Sequence, residues 1–179
     1  MKYIYLFVII LLTTGMACAQ KFKTGSEVYK YPDVEWIKGE PVTELDPSKI
    51  YIIECWATWC GPCIAAMPHL NELHKKYGDQ IVIIGQNVRE TDPEKVKRFV
   101  ANKGDDMAYR AAFAGDNKSD FMQNWYLAAG ISGIPATIII KNNRVVWITY
   151  PENLTDPVME HMIADDFTEE SAMDLLRQD

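Results

Sequence analysis

The sequence predicts an α/β fold in which a central mixed β-sheet is flanked by helices, and three observations carry that expectation. Strand-like and helix-like segments alternate along the chain. Residues 50–56 and 81–84 are short, nearly continuous apolar runs, the pattern of strands covered on both faces. Two later apolar segments are joined by Asn142-Asn143, a tight hairpin signal, so the sheet is not purely parallel. The chain has 179 residues, the size of one ordinary domain. With 48% apolar and 24% charged residues, its composition argues against disorder, collagen and coiled coil. A net charge of −7 without a basic block makes nucleic acid a poor partner. Four cysteines are too few for a disulfide-dense scaffold.

The elements follow in order. Lys2 precedes ten apolar or aromatic residues, 3–12, and then Ala17-Cys18-Ala19. That layout reads as a secretory signal peptide over residues 1–19, cleaved after Ala19, because ten apolar residues fall short of the ~20 needed to span a bilayer. Retention as a membrane anchor, or lipid attachment at Cys18, are the alternatives, and membrane association is expected only if the segment stays. Residues 20–32 form a polar lead-in, and residues 33–179 form the domain. Val34, Trp36 and Ile37, the turn Lys38-Gly39-Glu40-Pro41, and Val42 to Leu45 suggest an N-terminal β-hairpin. The run 50–56, broken only by Glu54, is the first buried strand. Ile64, Met67, Leu70, Leu73 and Tyr77 recur at helical spacing over residues 62–77, with Pro62 opening the helix and Pro68 inside it. After the strand at 81–84, Asp92-Pro93 starts a helix ending at Gly104, and residues 109–114 follow as a strand. Phe121, Met122, Trp125 and Ala129 mark a helix, residues 136–140 a strand, and 145–150 its hairpin partner. Thr155-Asp156-Pro157 starts a helix through Ile163, and the acidic remainder is also helical.

The chemistry concentrates in Trp59-Cys60-Gly61-Pro62-Cys63. The two cysteines sit between a buried strand and the first turn of a helix. Unsatisfied N–H groups and the helix dipole favour a thiolate there, lowering the Cys60 pKa and making it a nucleophile for disulfides. Cys63, one turn on, is placed to resolve the mixed disulfide, and Pro62 stiffens the loop. Structural zinc through Cys60, Cys63, His69 and His74 fails on geometry. The histidines lie roughly 9 and 16 Å along the helix from the sulfurs at ~1.5 Å per residue, and zinc needs four converging ligands. An inert disulfide remains the other reading of the pair. Glu54 is a charge inside an apolar strand, which is costly without a job or a partner. Burial would raise its pKa and let it exchange a proton with Cys63, whereas a salt bridge to Lys49 is the structural alternative. Cys55 must point to the opposite face and reads as a small buried hydrophobe.

These residues resemble the thioredoxin active site, and the wider pattern resembles exported thioredoxin-like proteins of the TlpA and ResA type over roughly residues 30–165. Pro68 matches that family's helix-kinking proline. Gly133-Ile134-Pro135-Ala136-Thr137 matches its cis-proline loop, and Asn142-Asn143-Arg144-Val145 its closing hairpin. The resemblance implies a thioredoxin-like fold with an α-β insertion over residues 91–118 and a redox-active Cys60–Cys63 disulfide. It also implies a cis Pro135, an Ile134 backbone that pairs with an extended substrate segment, and an exposed Trp59 beside the nucleophile. Glu54 stands where the family more often has Asp or Asn.

The function expected is that of an exported, periplasmic thiol–disulfide oxidoreductase reducing envelope-protein disulfides. It uses no cofactor or metal and is supplied with electrons by a membrane thiol-transfer partner. A disulfide oxidase or isomerase is the rival within that class. A thiol peroxidase would want Pro and Thr where Ile53 and Ala57 stand, and a copper carrier would want Cys-x-x-x-Cys with a distant His.

Overall fold

A computed structural model describes residues 22–177. The expectations for the signal peptide, its cleavage after Ala19 and lipid attachment at Cys18 lie outside those residues. Six strands form one mixed sheet: β1 (Glu35–Lys38), β2 (Ile50–Trp56), β3 (Ile81–Asn87), β4 (Arg110–Phe113), β5 (Ala136–Lys141) and β6 (Arg144–Thr149), in the order β1-β4-β3-β2-β5-β6. β2, β3 and β4 run parallel, whereas β1, β5 and β6 join antiparallel to their neighbours. The helices are α1 (Gly61–Tyr77), α2 (Pro93–Lys103), α3 (Asp156–Ile163) and α4 (Glu169–Leu176).

Alternation along β2 divides the core. Ile50, Ile52 and Trp56 face α1, α2 and the C-terminal helices, packing with Met67, Leu70, Val96 and Met159. Tyr51, Ile53 and Cys55 face the other layer, which holds Phe121, Met122, Trp125 and Tyr126. Burial on both faces explains why β2 and β3 read as apolar runs rather than alternating strands. Asp92 caps α2 by accepting from the Lys95 amide, and Pro93 opens it. The Asn142-Asn143 turn has φ of 51° and 56° at its central residues, as a two-residue hairpin with the sheet's own twist requires.

Three local readings change. The N-terminal hairpin does not form: β1 pairs with the open edge of β4, and residues 43–45 pair instead with residues 29–31. Gly39, at φ 78°, turns the chain away over Arg110, whose Cγ would lie 2.8 Å from a Cβ at that position. Edge pairing also lets Ile37 and Trp36 pack on opposite faces of the sheet, which a free hairpin could not provide. The segment after Ser119 is π-helical over Phe121–Leu127. Its wider turn brings Phe121, Met122, Trp125 and Tyr126 together onto the sheet. Residues 22–31, read as a polar lead-in, are packed against that same layer: Phe22 stacks on Trp125 at 4.7 Å, and Val28 and Tyr31 are buried.

Candidate functional site

The C-terminal end of β2 positions the site. The chain leaves the strand at Trp56 and turns through Ala57-Thr58-Trp59, closed by the Cys60 amide donating to the Ala57 carbonyl at 3.0 Å. Cys60 is the N-cap of α1, extended at φ −87°, and its Sγ accepts from the Cys63 amide at 3.2 Å. Pro62 falls in the first turn of α1, where its missing N–H leaves no bond unmade. Cys60 and Cys63 are disulfide-bonded, with Cα atoms 5.3 Å apart. Cys60 is 4% exposed and Cys63 1%, so both are buried and Cys60 is the more exposed residue of the two. Trp59, Gly61 and Pro62 are exposed around them, Trp59 by 56%. Pro68 lies inside α1 as expected.

Glu54 is buried on the face of β2 that carries Ile52 and Trp56, the face on which Cys63 also packs. Thr137, directly opposite on β5, donates its hydroxyl to Glu54 Oε2, while Oε1 has no hydrogen-bond partner among the described residues. Burial holds the Glu54 carboxyl well above the usual carboxylate range. The Thr137 bond opposes that, and the Glu152 charge adds to it. Lys49 does not reach Glu54; its ammonium donates to the Asp79 carbonyl at 2.5 Å. Cys55 is buried on the opposite face, and burial also pushes its thiol well above the ordinary range. His69 Nε2 is within 3.1 Å of the Leu154 carbonyl oxygen, on the flank of α1 away from its first turn.

The loop before β5 completes the site. The Ile134–Pro135 bond is cis, and Cys55 pairs with Ala136, which sets this loop beside the end of β2. A groove of about 440 Å³ runs along residues 129–136 and 148–150, with no charged side chain in its lining.

Two residues beside the site escaped the sequence reading. Thr137 carried no signal beyond its place after Pro135. Glu90 is buried 7% exposed in the loop after β3, where it accepts from the Thr58 amide (2.7 Å), the Thr58 hydroxyl (2.6 Å), Asn87 (2.8 Å) and Lys95 (2.8 Å). Burial pushes its carboxyl up, but the bonds from Asn87, Lys95 and Thr58 outweigh it and leave the pKa below the usual value. An acid just beyond a buried strand looks like an ordinary surface residue in sequence, because Thr58, the partner that ties it to the dithiol loop, lies 32 residues away.

Residues 36–165 match the family model described as Redoxin. The chain is 30% identical over 125 residues to the thiol:disulfide interchange protein HelX of Rhodobacter capsulatus, an alignment covering 69% of this chain and 65% of that protein. It is 29% identical over 132 residues to the thiol-disulfide oxidoreductase ResA of Bacillus thuringiensis subsp. konkukian, covering 68% of this chain and 71% of that one. The chain thus spans about two thirds of the length of these curated relatives. Among solved structures, its fold matches a thiol:disulfide interchange protein DsbE from Chlorobium tepidum with a TM-score of 0.62 at 20% identity, covering 82% of this chain and 99% of that one. A thiol-disulfide oxidoreductase from Bacteroides vulgatus matches with a TM-score of 0.60 at 23% identity, covering 83% and 99%. The six-stranded mixed sheet with helices on its faces is therefore a thioredoxin-like fold. The chain belongs to the Redoxin family and is similar to its thioredoxin-like members of the TlpA and ResA type.

Proposed function

We propose that this protein is an exported disulfide reductase that acts on envelope proteins by dithiol–disulfide exchange. The observation that carries the reading is the Cys60–Cys63 disulfide at the N-terminus of α1, next to the exposed Trp59 and following the end of β2 beside which the cis-Pro135 loop is set. In the reduced protein the helix N-terminus favours the Cys60 thiolate. That thiolate attacks one sulfur of a substrate disulfide, the substrate S–S bond breaks, and the other substrate sulfur leaves as a thiolate. Cys63 then gives its proton to the ionised Glu54 and attacks the Cys60 sulfur; the second substrate sulfur leaves as a thiolate, which can take that proton back from Glu54. Two electrons have passed to the substrate, and the protein is left with Cys60 joined to Cys63.

The raised pKa of Glu54 supports its part in this scheme. A carboxylate with an ordinary pKa is too weak a base to take a thiol proton near neutral pH, and burial strengthens it. The backbone of Ile134, ahead of Pro135, offers pairing groups to an extended segment lying in the groove. Export rests on residues 1–19. A reductase outside the cytoplasm must be re-reduced, so a membrane thiol-transfer donor is the expected partner.

The test is the redox potential of the purified protein, equilibrated in dithiothreitol buffers and read by thiol alkylation. A value below about −240 mV supports the reductase, since thioredoxin lies near −270 mV. A value above about −180 mV makes it an oxidase or isomerase. Failure of the pair to cycle removes the enzyme reading altogether.

A further inference from the structure

The loop after β3 touches both of the loops that would face a substrate. Glu90 grips the loop after β2 through the Thr58 amide and hydroxyl, two residues before Cys60. The preceding residue, Arg89, is exposed, and its guanidinium donates to the Ser132 carbonyl at 3.1 Å, in the loop before β5. That second loop is also tied to the preceding helical segment, by the Tyr126 hydroxyl donating to the Gly133 carbonyl at 3.0 Å and the Ile131 amide donating to the Tyr126 carbonyl at 3.1 Å. In the sheet, β3 and β5 are not neighbours, because β2 lies between them. At ~4.8 Å between strands, Arg89 therefore reaches across about two strand spacings, past the strand that leads to the dithiol.

The backbone is shaped for this. Arg89 has φ 60°, a conformation that non-glycine residues adopt uncommonly and at some cost. It aims two consecutive side chains to different places, Arg89 out to the Ser132 carbonyl and Glu90 into the core. Val88 anchors the start of the turn, its amide donating to the Trp56 carbonyl at 2.9 Å. Both Glu90 oxygens are occupied, each by two donors. A buried carboxylate with four donors is held firmly, since losing any of them would leave charge unpaired.

We propose that Arg89 and Glu90 act as a staple that sets the gap between the Cys60 loop and the Ile134 loop, and so positions a protein substrate's extended segment for attack. They are positioning residues, and the inference rests on the reading that Cys60 attacks a segment lying against Ile134. A small disulfide needs only the sulfur, whereas a protein disulfide needs the gap. The staple should therefore show in the difference between the two.

The experiment compares wild type, Arg89→Ala, Arg89→Lys, Glu90→Ala and Glu90→Gln in reducing insulin and a small aromatic disulfide, with dithiothreitol as electron source. Arg89→Ala should raise KM for insulin about tenfold and leave the small-disulfide rate within twofold, with Arg89→Lys partly restoring KM. Glu90→Ala should behave likewise, and Glu90→Gln, which still accepts from Thr58, should fall between it and wild type. Amide hydrogen exchange gives a readout free of catalysis. Glu90→Ala should raise exchange in residues 57–61 and also in 130–136, a loop it does not touch. Insulin and small-disulfide rates that fall in parallel, or exchange confined to 57–61, overturn the staple. A wild type inert to both disulfides overturns the reductase reading instead, and the exchange pattern then decides the staple alone.

Discussion

Glu54→Gln separates the buried acid's charge from its shape. The amide can still accept from Thr137, but it cannot ionise. In the unfolded chain Glu54 ionises in the ordinary carboxylate range, near pH 4.3. In the folded protein burial moves that ionisation upward. Between the two values the native state holds a proton that the unfolded state has released. Stability contributed by the protonated acid is therefore complete below the unfolded pKa and is lost as pH rises through the folded one. Within that window the slope approaches about 1.4 kcal/mol per pH unit for a single site. Glu90 changes in the opposite sense, its bonds being lost as pH falls below the ordinary range, so it contributes little slope above pH 5. The assay is urea unfolding of the oxidised protein from pH 5 to 8, for wild type and Glu54→Gln. The difference between the two curves should fall as pH rises, with the variant overtaking or closing on wild type at the alkaline end. Parallel curves would refute the reasoning, because they would mean that Glu54 ionises at the same pH folded and unfolded.

Three further outcomes are expected. Cys63→Ser should accumulate a mixed disulfide through Cys60 on non-reducing gels, whereas Cys60→Ser should neither trap substrate nor turn over; trapping by Cys60→Ser instead would exchange the two roles. Gly85→Ala should cost about 1–3 kcal/mol in urea unfolding, since its Cβ would lie 2.7 Å from Met107 Cε, 3.1 Å from Tyr109 and 3.2 Å from Trp56 Nε1. Cys55 should resist alkylation by iodoacetamide in the native oxidised protein and become reactive in urea, because it is buried on the face away from the dithiol.

What could be read in advance follows the range of the interactions. β2, α1 and the Asn142-Asn143 turn are specified by neighbours within a few residues: an apolar run, a cap with a proline in the first turn, and a pair of residues that tolerate positive φ. The dithiol was legible for the same reason, since helix start and cysteine spacing occur in one stretch. Glu54 was legible because a charge among six strand neighbours that are all buried stands out. β1 was not, because Glu35–Lys38 chooses between a nearby partner and the edge of β4 some 75 residues on, and sequence adjacency favoured the wrong one. Glu90 and Thr137 were missed because their roles lie in bonds to Thr58 and Glu54, which only the parallel β2–β3 and antiparallel β2–β5 registers bring near.

The packing of residues 22–31 also fixes how the molecule can be held. The Gly25 amide donates to the Val145 carbonyl at 2.7 Å, the Val28 amide to the Asn143 carbonyl at 2.8 Å, and Glu27 pairs with Arg144 at 2.8 Å. All three fasten the chain at the Asn142-Asn143 turn. That turn lies beyond the β5 end that pairs with Tyr51, whereas the dithiol follows the end that pairs Cys55 with Ala136. The two poles are separated by the length of β2, about 20 Å at ~3.3 Å per residue. A body moored through its leading end, to a bilayer or to a biosensor chip, would thus turn its reactive pole toward the surrounding fluid. Large clients could approach it without meeting the surface to which it is fastened.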